Sequence, residues 1–187
     1  MARLPLLFLL STFIYFASCD QIVVGALQKI FPYATAATVK TLTTNVNKQT
    51  AIAKAKTVVT NWVPKNWKAA TATVDAKNPL SKQAYAKDKA LTFVDMRYSL
   101  KKYITYLFNQ GVSNKYLTQA EADSLKTLFW AADTKSNNNF TVTCQTFMAE
   151  AATKVVKTPP IGSRVQELTQ KFAAANPTDY ANLKWTL

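Results

Sequence analysis

Three glycines in a chain of 187 residues, at positions 25, 111 and 162, set the tightest limit on its fold. A many-stranded β fold needs frequent tight reversals, and glycine supplies the positive-φ positions on which most of them depend. Alanine, lysine and threonine are abundant instead, and the first two are good helix formers. The expected fold class is therefore all-α, a compact bundle of about six or seven helices.

The first nineteen residues differ in kind from the rest. Arg3 gives a short positive start, Leu4 to Ser18 is an apolar run, and Cys19-Asp20 ends it. The run falls short of the roughly 20 apolar residues of a membrane span and has the layout of a secretory signal. Residues 1–19 are read as a signal peptide and 20–187 as one secreted helical domain. Two alternatives stay open: a retained signal anchor, or a bacterial lipoprotein anchored through Cys19 in Phe16-Ala17-Ser18-Cys19. On the secreted reading Cys144 is the one cysteine left, so no internal disulfide holds the fold and an apolar core must do so. Cys144 is expected to act as a small buried hydrophobe, with pairing between chains as the alternative.

Periodicity places the helices. Val39, Leu42 and Val46 share one face, and Ile52, Ala55, Val59 and Trp62 share another. This gives one long or two stacked helices, stopped by Pro64. Asn66 to Ala76 reads as a short helix. From Leu80 or Ser81 to Gln110, Phe93, Met96, Leu100, Tyr103 and Leu107 form a broad apolar band, which suits a central helix covered on more than one side. Gly111 is where a left-handed cap would sit. Thr118-Gln119-Ala120-Glu121 and Ser163-Arg164-Val165-Gln166 read as capping boxes. A helix from Thr141 or Thr143 ends at Thr158-Pro159-Pro160. Asn176-Pro177 breaks the next, and a last turn brings Tyr180 and Trp185 onto the body.

The chain has no histidine. That removes Ser-His-Asp and Cys-His catalysis and leaves too few ligands for a zinc site. No metal, no cofactor and no catalytic residue is expected. The acids lie beside lysines, as in Lys87-Asp88-Lys89, and read as local ion pairs and caps. Asp133 to Asn139 resembles a calcium loop only in polarity, since the glycine and the bidentate glutamate are missing. Asn139-Phe140-Thr141 is an acceptor sequence for N-glycosylation at Asn139.

The basic excess, +13 over the whole chain, survives removal of the signal and favours anionic partners such as lipid headgroups or glycans. Nucleic acid is an unlikely partner for an exported chain. Two functions are expected. One is carriage of a small hydrophobic ligand, a fatty acid or lipid, between helices, with Arg97, Lys101 and Lys102 pairing its polar head. Secreted helical lipid carriers share this layout, although no family motif is legible. The other is an interaction protein that meets an anionic partner or membrane surface through a lysine-rich face. Trp62, Lys65, Trp67 and Lys68 are the membrane-surface candidates, because rings beside lysines suit the headgroup region. Neither reading is an enzyme.

Overall fold

The computed structural model describes residues 23–68, 83–136, 140–154 and 161–184. Among these there are eight helices and no strand: α1 (Val23–Ile30), α2 (Ala36–Asn47), α3 (Ile52–Asn66), α4 (Gln83–Ser113), α5 (Gln119–Lys135), α6 (Phe140–Lys154), α7 (Ile161–Ala175) and α8 (Pro177–Asn182). The all-α class holds. The eight helices exceed the expected six or seven; α1 is not among those expected, although Ala26, Leu27, Ile30 and Phe31 share one buried face.

The chain divides into two compact units with the boundary between Tyr98 and Ser99, inside α4. In the N-terminal unit α1 packs on α2 and α2 on α3. Leu27, Phe31, Val39, Leu42, Val59, Phe93 and Val94 belong to one buried cluster. In the C-terminal unit α5 packs on α6 and α7 on α8, and Tyr103, Leu107, Phe129, Phe147 and Phe172 belong to a second cluster. Full burial of one such side chain contributes roughly 1.5–3 kcal/mol relative to leaving it exposed.

The breadth of the apolar band in α4 now has a cause. Ala86, Ala90, Phe93, Arg97, Leu100, Ile104, Leu107 and Gly111 step alternately by four and three residues, and all are buried. The N-terminal part of this stripe serves one cluster and the C-terminal part the other. Gly111 lies on the stripe, inside the helix, without a positive φ. It is a small residue at a packed position and does not cap the helix. The left-handed residue is Lys115, φ 58°. Around it the amide of Tyr116 donates to the carbonyl of Gly111 at 2.8 Å, and that of Lys115 to Val112 at 2.9 Å, the paired bonds of a Schellman ending.

Other helix ends follow their sequence signals more closely. Thr118 and Glu121 form the expected capping box in both directions. Pro64 lies within the last turn of α3, which runs on to Asn66, so the helix outlasts its proline by two residues. Proline removes one amide bond but does not prevent the turn that follows from closing, and the amide of Trp67 still reaches the carbonyl of Val63 at 2.9 Å. The helix α7 begins at Ile161, so Ser163 is inside it and not its cap. Pro177 opens α8 as expected.

Threonine is a mediocre helix former, and several threonines here bond back to their own helix. Thr41, Thr57, Thr127 and Thr134 each donate their hydroxyl to the carbonyl four residues earlier, at 2.9–3.0 Å. The segments expected at 66–76 and around Thr158-Pro159-Pro160, and the contact expected of Trp185, fall wholly or mainly outside the described residues.

Candidate functional site

The surface of the N-terminal unit follows from an imbalance in its charges. Its described residues carry ten basic and two acidic side chains, the latter Asp88 and Asp95. Between Asp20 and Asp75 the chain runs 54 residues with seven lysines and no acid at all. Of those seven, Lys29, Lys40, Lys48, Lys54, Lys65 and Lys68 are exposed. Only Lys56 is half-buried, and it meets Asp95 of α4 at 2.7 Å.

Helix geometry arranges these lysines. On α2, Val39, Leu42, Thr43 and Val46 are buried, which turns Lys40, Thr44 and the capping Lys48 outward at intervals of four. Lys40 and Lys48 are about 12 Å apart along the axis at 1.5 Å per residue. On α3, Ala55, Val59 and Val63 are buried. Lys54 and Lys65, eleven residues apart, come within about 20° of the same face at 100° per residue and about 16 Å apart. Asn61 falls between them.

The aromatic candidates point the other way. Trp62 is half-buried and meets Phe31 edge-on, with centroids 5.0 Å apart. Trp67 packs against the same cluster. Lys65 and Lys68 remain outside. The alternation of rings and lysines in this stretch reflects an inner and an outer face.

Arg97, a candidate for a ligand's polar head, is only 2% exposed. Its Nε donates to Oδ1 of Asn47, at the end of α2, at 3.1 Å. Two neighbours make similar ties: Asp95 accepts from Lys56, and the Tyr98 hydroxyl donates to the carbonyl of Gln49 at 2.7 Å. Within the unit, these bonds fasten α4 to the ends of α2 and α3. Lys101 and Lys102 belong to the C-terminal unit. Lys102 is exposed and paired with Asp179, whose carboxylate also accepts from Ser99 at 2.9 Å. Burial raises the affinity of Asp179 for its proton, but the bonds from Lys102 and Ser99 and the charge of Lys102 outweigh it and lower the pKa.

In the C-terminal unit most charges are matched internally. Lys126 pairs with Asp123, Lys135 with Glu150 and Lys171 with Glu167. Its buried polar groups are also matched. Thr143 lies within 3.5 Å of Asp133 and 2.5 Å of Ser136, and Tyr103 and Thr169 share a hydrogen bond at 2.7 Å. Cys144 is buried; burial first, and the charge of Asp133 second, push its thiol pKa well up. That is a small core residue, not a reactive thiol. No cluster of possible metal ligands occurs among the described residues, and no helix there is long and apolar enough to cross a membrane. Cys19 and Asn139 lie outside the described residues.

No family model matches this chain, and no curated protein and no solved structure matches it. The chemistry of the surface is what there is to read.

Proposed function

We propose that this chain, exported through its N-terminal apolar segment, is a binding protein and not an enzyme, and that it holds an anionic partner on the lysine-rich surface of its N-terminal unit. One observation carries the reading. The exposed lysines of α2 and α3 lie in two helical stripes on a stretch without acids, and Lys40, Lys48, Lys54 and Lys65 have no ion pair among the described residues. Unpaired like charges repel one another and cost some stability. An anionic partner relieves that cost, and each lysine brought near an anionic surface contributes about 1 kcal/mol. The lack of histidine supports binding over catalysis, because it leaves few proton-transfer mechanisms at neutral pH.

The test compares two variants of equal charge. One carries Lys40→Glu, Lys48→Glu, Lys54→Glu and Lys65→Glu. The other carries Lys115→Glu, Lys135→Glu, Lys171→Glu and Lys184→Glu. Binding to dextran sulphate at physiological salt is expected to fall about a hundredfold or more in the first and far less in the second. Equal losses would mean that net charge alone decides and would end the proposal. A lipid co-purifying with the protein from its own secretions would favour carriage of an apolar ligand instead.

A further inference from the structure

We infer that the anionic partner is a linear sulphated glycan, held along α2 and α3. The inference rests on the polyanion reading above and narrows it. It comes from what stands between the lysines. The exposed positions of α2 beside Lys40 and Lys48 include Thr41, Thr44 and Asn45, with Ala36 and Ala37 before them, and those of α3 beside Lys54 and Lys65 include Thr57, Thr60 and Asn61. Thr44, Asn45, Thr60 and Asn61 make no side-chain hydrogen bond among the described residues. Cations alternate with small neutral donors and acceptors, without acids. A sulphated glycan presents the complement, fixed negative charges alternating with hydroxyl groups along a chain. Lysine spacings of about 12 and 16 Å along helix axes suit a partner whose charges recur in a line.

The same surface fits the other polyanions less well. A bilayer is held firmly when apolar side chains insert beside the basic ones. Here Trp62 and Trp67 face the core. Among the described side chains of the unit, Tyr33 and Ile52 are the exposed large hydrophobics. Ile52 is two residues from Lys54, about 200° around α3, and Tyr33 lies in the turn after α1. Neither extends a lysine stripe. Phosphate groups of nucleic acids and phosphopeptides are gripped best by the two-pronged guanidinium. Every exposed base on α1, α2 and α3 is lysine, and Arg97, the one arginine among the unit's described residues, is buried on Asn47.

Three probes test this with the whole secreted chain at 0.15 M salt: a sulphated heparin octasaccharide, the same octasaccharide with its sulphates removed, and vesicles of phosphatidylserine and phosphatidylcholine at 3:7. Titration calorimetry reads the sugars and co-sedimentation the vesicles. The sulphated sugar is expected to bind at least about tenfold tighter than the desulphated one. Lys54→Glu with Lys65→Glu should cost it about tenfold or more, while Thr60→Ala with Asn61→Ala costs about three- to tenfold by loss of neutral hydrogen bonds. If the vesicles bind and the sulphated sugar does not, and the lysine variant loses the vesicles, the polyanion surface stands and the glycan falls. If the lysine variant binds every probe as the parent does, both fall. Unchanged binding by the threonine–asparagine variant removes the hydroxyl matching from which the glycan was inferred and overturns it.

Discussion

The two units solve the problem of charge in opposite ways. The C-terminal unit, from Ser99 onward, sets acids beside its lysines and closes its polar groups on one another, as at Lys135–Glu150 and Asp133–Thr143–Ser136. The N-terminal unit pairs Lys56 with Asp95 inside its polar ties to α4 and leaves the other described lysines of α1, α2 and α3 to the solvent. Both bury an apolar cluster. Stability alone therefore does not require the imbalance, since the C-terminal unit folds around the same kind of core with nine basic and six acidic described side chains. On the proposed reading, the difference marks the unit that meets the anionic partner.

Four substitutions break or sharpen that contrast. The largest effect is expected from Phe129→Ala, which empties a fully buried position between Trp130 and Phe147. It should cost the C-terminal unit about 3–5 kcal/mol in urea unfolding and leave dextran sulphate binding by the N-terminal unit unchanged under native conditions. Loss of binding in the folded variant would tie the surface to the wrong unit. Next is Arg97→Leu. It removes the bond to Oδ1 of Asn47 from a buried site and should cost about 1–3 kcal/mol, with part regained by adding Asn47→Leu. A role in gripping a ligand's head would instead lower binding while the urea midpoint stayed in place.

Lys115→Gly acts in the other direction. A left-handed non-glycine residue costs about 1–2 kcal/mol, and glycine repays some of that in the unfolded chain. The unfolding free energy should rise by about 0.5–1 kcal/mol, read as a higher urea midpoint. The smallest effect is expected from Asp179→Asn, below about 1 kcal/mol at neutral pH because the pair with Lys102 is largely exposed. The sign follows from the lowered pKa. Stability from the ionised carboxylate is present above its ordinary range near pH 4 and is lost as pH falls through the folded value. The variant should therefore lose less stability than the parent between neutral pH and about pH 3, followed by urea midpoints.

Much of the fold is legible in the sequence wherever a helix repeats its apolar face over several turns. The faces of α2, α3 and α4, the Thr118 capping box and the break at Pro177 were all open to reading. Three misreadings share an origin, a residue with two uses. Gly111 reads as a cap because glycine tolerates positive φ, but it is used for its small volume. Pro64 reads as a stop, but it takes only its own amide from the ladder, and the amide of Trp67 beyond it still closes the last turn. Arg97 reads as a surface cation, although its register with Phe93, Leu100 and Ile104 places it on the buried stripe. A heptad count across α4 finds it; its polarity hides it. The candidate surface was legible too, through a signal of a different kind. Individual motifs drew attention to Trp62 and Trp67, whereas the informative feature was the length of chain that passes without a single acid.

That absence has a consequence for control. A surface made of lysine, threonine and asparagine contains no side chain of the type that titrates between pH 5 and 8, and it offers no carboxylate through which calcium might bridge it to a negative partner. Acidification of the surroundings should leave such a grip closed, and divalent cations should only compete with it for the partner. On the proposed reading, release depends on salt, on cutting the partner, or on a stronger cation arriving, and the surface holds on without sensing.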